Sequence, residues 1–330
     1  MSGLASIVHA FLLAGCGTLA SPGAGDENLP SAGLGPFRAL DADEVDLEPF
    51  VSASRGAWGG SHAALLEDGT FALYRGEIED GIVSIVRETS TDGITFADPA
   101  VVLVPEAAWE GDAVSDPCVT TDGARWLLYY AGAEGIGLAE SVDGIEWTRA
   151  SEGPVLRADA EWEGSRVGAP SVVPDEDGGF VLYYEAGGGI GVATSRDGLD
   201  WTRIGAGPVV APGFAGAWDD RAVFDPAARV HRSPTGRRTV QLFYVGVAAA
   251  ATGEEPDYGI GAASSFDGRE VSRNAGNPVL ERSRAIVGLG PPVDLGPADL
   301  LTFTEERSTA GTFGIGGAIW PAEWGHSPTP

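Results

Sequence analysis

The chain has no lysine, only two cysteines and only four histidines among its 330 residues. Its 20 basic residues are all arginine, and 48 acidic residues outweigh them to give a net charge of −28. A surface this acidic repels nucleic acid and anionic lipid headgroups, which excludes a partner held by a basic patch. No pair of histidines has the spacing of a zinc site, so we expect neither a zinc centre nor a cofactor.

The two cysteines are Cys16 and Cys118. If the segment up to Cys16 is a processed leader, one internal cysteine is left, which cannot form an intrachain disulfide, so stability must come from packing. Cys118 follows Asp116-Pro117 and precedes an apolar residue. We expect a buried thiol in a strand; a catalytic nucleophile is the alternative, although no histidine lies close in sequence to activate it.

The N-terminal segment differs in composition from the rest of the chain. Residues 1–15 contain no Asp, Glu or Arg, and their apolar run is too short to span a bilayer as a helix. The run ends Leu13-Ala14-Gly15-Cys16, which resembles a bacterial lipobox, although the usual positive region before it is missing. The resemblance implies a lipoprotein signal over residues 1–16 with lipidation at Cys16, a flexible tether over 17–36, and a cell-envelope location outside the cytoplasm. An ordinary apolar N-terminus is the alternative.

Two short phrases recur along the chain with the same period. Ser-x-Asp-Gly phrases place Asp-Gly pairs at 92, 143, 197 and 267, spaced 51, 54 and 70 residues apart. A second phrase begins at tryptophans spaced 51, 53 and 56 apart: Trp58, Trp109, Trp162 and Trp218. Two phrases that recur with nearly the same period indicate a repeated structural unit of about fifty residues.

Each unit contains four short β-rich runs separated by turn dipeptides. In the second unit these runs are residues 114–120, 126–131, 135–141 and 146–150. Such units are typical of β-propeller blades, and the chain contains five, the last beginning near Ile286. We therefore predict that residues 37–330 form a single all-β, five-bladed β-propeller of four-stranded antiparallel blades. The fifth unit has only three runs, so we expect an N-terminal strand near residues 45–52 to complete the last blade.

These features resemble the five-bladed glycoside hydrolases, a group that includes arabinanases, β-xylosidases, invertases and mannoside phosphorylases. The resemblance rests on the five units, on Asp-Pro pairs that open two of them at Asp116 and Asp225, and on Tyr-Tyr pairs in the second runs of the second and third units. It implies that carboxylates project from the innermost strands into a central funnel, with Asp116 and Asp225 as the catalytic pair. The alternative is that aspartate before proline only makes a good strand entry.

The pattern departs from that family in two places. Gly168 stands where some members carry a catalytic glutamate, and the first unit opens at Ser61-His62 without an Asp-Pro pair. His62 and Glu185 are therefore candidates to assist catalysis, although ordinary structural roles are open for both.

Four further residues are candidates for contacting a ligand. Arg166 and Arg221, which follow the tryptophans of successive units, are interpreted as equivalent; they either bind an acidic group or form salt bridges between blades. Trp58 and Trp109 are either stacking platforms for sugar rings or packing residues. A calcium site at Asp219-Asp220 and Asp225 would need oxygen ligands from elsewhere.

Two functions remain open from the sequence. One is a carbohydrate-active enzyme of the glycoside hydrolase type, and the other is a non-catalytic surface propeller that binds a glycan or a protein. A purely structural envelope lipoprotein is the background alternative. We expect a monomer that binds a neutral ligand and touches a membrane only through its lipid anchor. The Ser-x-Asp-Gly phrase is predicted to be a peripheral turn between the third and fourth strands of a blade.

Overall fold

A computed structural model describes residues 36–39 and 56–320, apart from 67, 94, 234, 251–255, 283–284, 295–298 and 307–312. These residues form five antiparallel sheets, which confirms the predicted five-bladed β-propeller. The proposed signal segment, Cys16 and most of the tether lie outside the described residues. The helices in the described ranges are two 3-10 turns, Ala108–Glu110 and Glu161–Glu163, and neither is long and apolar enough to cross a membrane.

Strand β1 (Arg38–Ala39) precedes the first blade in the chain. Blade one consists of β2 to β5, in the order Gly56–Leu65, Phe71–Glu79, Ile82–Ser90 and Ala97–Leu103. Blade two consists of β6 to β9, in the order Ser115–Thr121, Trp126–Gly132, Gly135–Ser141 and Thr148–Arg149. Blade three consists of β10 to β13, in the order Val167–Pro174, Phe180–Ala186, Gly189–Ser195 and Thr202–Arg203.

Blade four consists of β14 to β17 with β18 added at its outer edge: Ala222–Arg232, Arg238–Val247, Tyr258–Ser265, Ser272–Arg273 and Leu280–Arg282. Blade five contains β19 to β22: Ile286–Leu289, Val293–Asp294, Asp299–Glu306 and Phe313–Trp320. The first strands of the blades contact one another in a closed ring, β2 with β6, β6 with β10, β10 with β14, β14 with β19 and β19 with β2. These five inner strands therefore surround the central axis.

The last blade is closed by the N-terminal strand, as predicted. Strand β1 pairs antiparallel with β22, and Phe37 beside it packs edge-on against Phe243 at 5.7 Å between ring centroids. The closing strand is Arg38–Ala39, whereas the predicted residues 45–52 lie outside the described ranges. Joining the two ends of the chain in one sheet leaves blade five without a free edge at β22.

The Ser-x-Asp-Gly phrases form turns, called Asp-turns below, between the third and fourth strands of blades one to four. In blade two, Ser141 Oγ donates to Asp143 Oδ1 at 2.9 Å, and Gly144 N donates to Ser141 Oγ at 2.9 Å. Asp143 Oδ1 also accepts hydrogen bonds from the backbone amides of Ile145 and Glu146. Gly144 has φ +71°, a conformation that other residues resist. The predicted role of the phrase as a turn is confirmed.

The Asp-turns of blades two, three and four are also each tied to the preceding blade by a buried tyrosine. The hydroxyl donates to the glycine carbonyl of the next blade's turn: Tyr74 to Gly144, Tyr129 to Gly198 and Tyr183 to Gly268, at 2.6, 3.0 and 2.7 Å. The equivalent residue of blade four is Phe243, which has no hydroxyl, and it faces a blade whose sequence lacks the phrase. The Asp-turns therefore lock neighbouring blades together at one end of the propeller.

The second recurring phrase holds a buried ion pair within each of three blades. In blade three, Glu163 is 1% exposed and accepts from Arg203 Nε at 2.6 Å, from Tyr184 Oη at 2.7 Å and from two backbone amides. Glu110 with Arg149 repeats this arrangement in blade two, and Asp219 with Arg273 forms a shorter version in blade four. The phrase thus fixes the start of each of these blades to its fourth strand.

We expect Glu163→Ala to lower the free energy of unfolding by about 3 kcal/mol, because it leaves the Arg203 guanidinium and two amides without their acceptor. Urea unfolding followed by tryptophan fluorescence measures this. The matched control is Glu161→Ala, an exposed glutamate of the same 3-10 turn, which should cost less than about 0.5 kcal/mol. Equal losses in the two variants would contradict a special role for the buried pair.

The same ion pair should make stability fall in acid. Burial alone raises the pKa of Glu163, but its hydrogen bonds from Arg203, Tyr184 and two amides together lower it from 4.5 to about 2. As the pH falls, the unfolded chain therefore binds a proton at residue 163 before the folded chain does. The stabilisation is complete above about pH 4.5 and is lost as the pH falls towards 2. The stability difference between wild type and Glu163→Gln should shrink over that range; a constant difference would contradict this.

Candidate functional site

Four of the five inner strands share one irregularity that faces the axis. The register of β2, β6, β10 and β14 shifts at a bulge, and each bulge contains one residue with left-handed backbone. These residues are Gly59, Asp116, Ala169 and Asp225, with φ between 42° and 67°. A bulge re-aims the side chain it contains, and here Asp116 and Asp225 both line one central cavity. The structure therefore brings together the two aspartates predicted from sequence.

The left-handed backbone of these aspartates is not in itself a sign of catalysis. Asp98 precedes Pro99 with φ +57° in the exposed outer strand β5, far from the axis. Aspartate tolerates this conformation better than most residues, because its short polar side chain bonds locally. Asp116 and Asp225 differ from Asp98 in their surroundings, which are polar groups of other blades at the axis.

Both carboxylates approach the backbone of blade one at Gly60. Gly60 N donates to Asp116 Oδ1 at 2.7 Å. A Cβ placed on Gly60 would lie 3.3 Å from Asp225 Oδ1 and 3.8 Å from Asp116 Oδ1. The two oxygens are therefore no more than about 7.1 Å apart, the sum of those distances. Because glycine has no side chain, blade one leaves this space to carboxylates from blades two and four.

The enclosed part of the axis is small. The cavity that Asp116, Asp225 and His62 line has a volume of about 10 Å³, near the least that a single water needs. Prolines 117, 170, 226 and 291 make up much of its remaining wall. A sugar ring cannot enter this space, so any larger ligand would have to lie at the mouth above it.

Asp225 is the most buried carboxyl of the group, with 4% of the residue exposed. Burial raises its pKa well above the ordinary value, and the nearby charges of Asp116 and Glu185 raise it further. Its Oδ2 atom has no hydrogen-bond partner among the described residues. An unpartnered carboxyl oxygen in this setting favours the protonated form of Asp225 over the charged form.

Asp116 is half-buried and well supported. Ser115 Oγ donates to Asp116 Oδ2 at 2.7 Å, while Gly60 N donates to Oδ1. Both carboxyl oxygens are therefore held in one orientation at the mouth of the cavity. The sequence analysis did not identify Gly60 or Ser115. A signal for Gly60 was present, because blade one has Gly59-Gly60 where the next three blades have a proline in second place.

Glu185 supplies a third carboxyl from the second strand of blade three. It lies directly opposite Gly168 in the ladder between β10 and β11, so its side chain rises on the face where a side chain at 168 would stand. Burial raises its pKa, and so does Asp116, while Arg166 and the Asp225 amide oppose the shift. The structure thus adds a half-buried acid beside the position where the family resemblance implies one.

His62 and Cys118 occupy the wall of the same cavity. Burial lowers the pKa of His62 to about 4, so its imidazole is neutral at neutral pH. Burial raises the pKa of Cys118 to about 12, and its sulfur accepts a hydrogen bond from Val172 N at 3.2 Å. The prediction of a buried strand thiol is confirmed, and a thiol this hard to ionise is a poor nucleophile.

The two tryptophan candidates occupy different kinds of position. Trp109 is 6% exposed and stacks on Tyr130 at 5.8 Å, so it is a packing residue. The sequence spacing predicts that Trp58 is equivalent to Trp109, and this prediction is wrong. Trp58 lies inside β2, opposite Gly76, at the position that Ser115 has in blade two. It is 43% exposed near the mouth and contacts Phe313 edge-on.

The predicted equivalence of Arg166 and Arg221 is also wrong. The ladders align Gly168 with Phe224, so Arg166 corresponds to Ala222 and Arg221 lies one residue earlier, in the preceding loop. Both arginines are exposed, and neither forms an ion pair with a described residue. The Arg166 guanidinium lies beside Gly168, with Nη2 3.2 Å from where a Cβ would be, which brings it to the mouth near Glu185.

No group of three or more metal-ligating side chains occurs in the described part of the chain. Of the suggested calcium ligands, Asp219 is paired with Arg273, and Asp220 accepts hydrogen bonds from the backbone amides of Gly216 and Ala249. These two carboxylates therefore serve the structure of blade four.

Solved structures of glycoside hydrolases share this architecture. One glycoside hydrolase superposes with a TM-score of 0.66 at 16% identity, over 86% of this chain and 91% of its own. A glycosyl hydrolase from Bacteroides ovatus gives 0.65 at 16% identity, over 86% and 93% of the two chains. The chain has the fold of the five-bladed glycoside hydrolases.

A further similar structure comes from the GH130 family of mannoside phosphorylases, described as containing glycoside hydrolases that target β-1,2 mannosidic linkages in Candida mannan. It superposes with a TM-score of 0.63 at 16% identity, over 92% of this chain and 98% of that one. No protein-family model matches the sequence, and no curated protein matches it. Identity this low establishes the fold and leaves the activity to the site.

We expect Asp225→Asn to stabilise the protein at neutral pH. The raised pKa of Asp225 means that the unfolded chain releases this proton more readily, so wild-type stability falls as the pH rises above 3.8. An asparagine cannot ionise and removes that loss. Its melting temperature should exceed that of wild type at about pH 7 and approach it at about pH 4, as differential scanning calorimetry would measure.

Asp116→Asn is the matched control. It replaces one accepting oxygen of a carboxyl that receives hydrogen bonds at both ends, so we expect a loss of about 1 kcal/mol at either pH. If Asp225→Asn lowers the melting temperature at neutral pH as much as Asp116→Asn does, the protonated state assigned to Asp225 is wrong.

Proposed function

We propose that this protein is a carbohydrate-active enzyme of the glycoside hydrolase type, acting at the mouth of the central channel. The observation that carries the proposal is that Asp116 and Asp225 meet at the Gly60 backbone, with Glu185 close enough for its charge to raise the pKa of Asp225. Hydrolysis of a glycosidic bond needs two carboxyl groups in different protonation states near each other. The similarity of fold to glycoside hydrolases supports the same choice of chemistry.

Different degrees of burial support different roles for the three acids. Glu185 is half-buried with a raised pKa, so it is suited to donate a proton to the oxygen that leaves the sugar. Asp116 is half-buried and oriented by Gly60 N and Ser115 Oγ, so it is suited to take a proton from water. Asp225 is too enclosed to touch a sugar ring, and its backbone amide donates a hydrogen bond to Glu185.

In the proposed reaction, the bond between the sugar's anomeric carbon and the leaving oxygen breaks while Glu185 protonates that oxygen. A water oxygen bonds to the same carbon, and its proton passes to Asp116. The small cavity beside Asp116 has a volume suited to about one water. Arg166 lies close to Glu185 at the mouth. Its positive charge lowers the pKa of Glu185 and so partly offsets the rise that burial causes.

A non-catalytic glycan-binding propeller is the second candidate, and two observations favour it. Blade one presents Gly59-Gly60 instead of an aspartate, and blade three presents Gly168 where the family resemblance implies a glutamate. The left-handed Asp98 shows that Asp-Pro pairs also arise for backbone reasons alone. In this case the carboxyl cluster would only hydrogen-bond to sugar hydroxyls.

A screen of 4-nitrophenyl glycosides with the full chain tests the proposal. Turnover of at least one substrate is expected, with kcat/KM lowered at least about 100-fold by Asp116→Asn and by Glu185→Gln. Asp98→Asn is the matched control, because it alters an exposed aspartate that also precedes proline. Its rate should equal that of wild type.

Two results would reject this assignment. If Asp116→Asn and Glu185→Gln hydrolyse as fast as wild type, these residues are not catalytic. If no glycoside is turned over but glycans bind, as isothermal titration calorimetry would measure, the non-catalytic function is supported instead.

A further inference from the structure

We propose that a cavity on the outer part of blade four binds neutral sugar rings of an extended glycan, as a subsite separate from the carboxyl cluster. The choice of a carbohydrate ligand rests on the proposed function. The cavity has a volume of about 480 Å³, and its walls include an aromatic pair and several polar side chains: Phe214, Trp218, Arg273, Asn274 and Asn277. Volumes of this size are typical of small-molecule sites.

The aromatic side chains of this cavity are unusually accessible. Phe214 is 94% exposed, more than any other large apolar side chain among the described residues. Trp218 is half-buried, as is Trp162 of blade three, whereas Trp109 of blade two is 6% exposed, so Phe214 is the feature particular to this cavity. Exposed aromatic rings beside polar groups suit sugars, because a sugar ring has an apolar face and a rim of hydroxyls.

Blade four opens here because it departs from the repeat in two ways. Asp219 replaces the longer glutamate of blades two and three, and Tyr244 Oη accepts from Asn277 Nδ2 at 3.0 Å instead of donating to that carboxylate. The connection from Val210 to Trp218 is also two residues longer than the one from Leu156 to Trp162. The longer loop contains Phe214 and forms one wall of the cavity.

The cavity lies at the same end of the propeller as the channel mouth. Its loop leads directly into β14, which begins at Ala222 and bears Asp225 in its first half. The Asp-turn of the same blade, at Asp267, lies at the other end of these strands. A glycan that starts at the carboxyl cluster can therefore continue outward over blade four to Phe214. The net charge of −28 favours uncharged sugars over uronates.

Isothermal titration of the full chain with neutral hexasaccharides tests this subsite. The probes are arabinohexaose, xylohexaose and mannohexaose, with the corresponding monosaccharides and hexagalacturonate for comparison. At least one neutral hexasaccharide should bind more tightly than its monosaccharide and than hexagalacturonate. Phe214→Ala should weaken that binding about fivefold, in line with the loss of one aromatic contact. The matched control is Val142→Ala, which removes an 85% exposed apolar side chain at the opposite end and should change nothing.

The outcomes separate this inference from the proposed function. If Phe214-dependent binding occurs without turnover of any glycoside, the subsite stands and hydrolysis is rejected. Where glycosides are turned over, Phe214→Ala should leave the rate on 4-nitrophenyl monosaccharides unchanged. The subsite is rejected if no neutral hexasaccharide binds or if Phe214→Ala binds as tightly as wild type. It is also rejected if light scattering finds a dimer that Phe214→Ala dissociates, since the surface would then be a contact between two copies.

Discussion

The left-handed bulge in the inner strands is the constraint on which the candidate site depends. It interrupts the ladder at residues 59, 116, 169 and 225, and it places the side chains of Asp116 and Asp225 in the wall of the axial cavity. A side chain placed in this way meets backbone and carboxyl groups from other blades, as Asp116 meets Gly60. Ala169 has the same left-handed bulge but no polar side-chain atom. The bulge therefore sets the position of the residue, and the residue type decides whether that position can bind or react.

The strongest repeats in the molecule are structural. In blades two, three and four, the Asp-turn joins the blade to the one before it through a buried tyrosine, and the tryptophan phrase fixes the start of the blade to its fourth strand through a buried ion pair. The places that could bind a ligand are those where the repeat fails. Gly60 makes room at the axis, Glu185 faces the empty position at Gly168, and Asp219 is too short to repeat the full ion-pair arrangement.

Much of the fold could be predicted because its signals are local. A turn such as Ser141 to Gly144 is made by hydrogen bonds between residues two or three apart, so its sequence is sufficient to identify it. The period of such turns predicts the number of blades. Equivalence between units was harder to predict. Trp58 matches the spacing of the other tryptophans, but the ladders place it level with Ser115, six residues after Trp109. Arg221 follows its tryptophan by three residues and Arg166 by four, and the ladders confirm that difference of one residue. A one-residue shift places a side chain on the other face of a strand.

The sequence by itself determined the blade architecture, the Asp-turns, the closure by an N-terminal strand and the two aspartates that open inner strands. Only the tertiary structure decided that Gly60 N supports Asp116, that Glu185 stands opposite Gly168, and that Phe214 borders an open cavity. Gly60 and Asp116 are 56 residues apart and lie in different blades. Contacts of that kind depend on how whole blades pack around an axis, and a repeat pattern contains no information about which non-repeating residues will meet there.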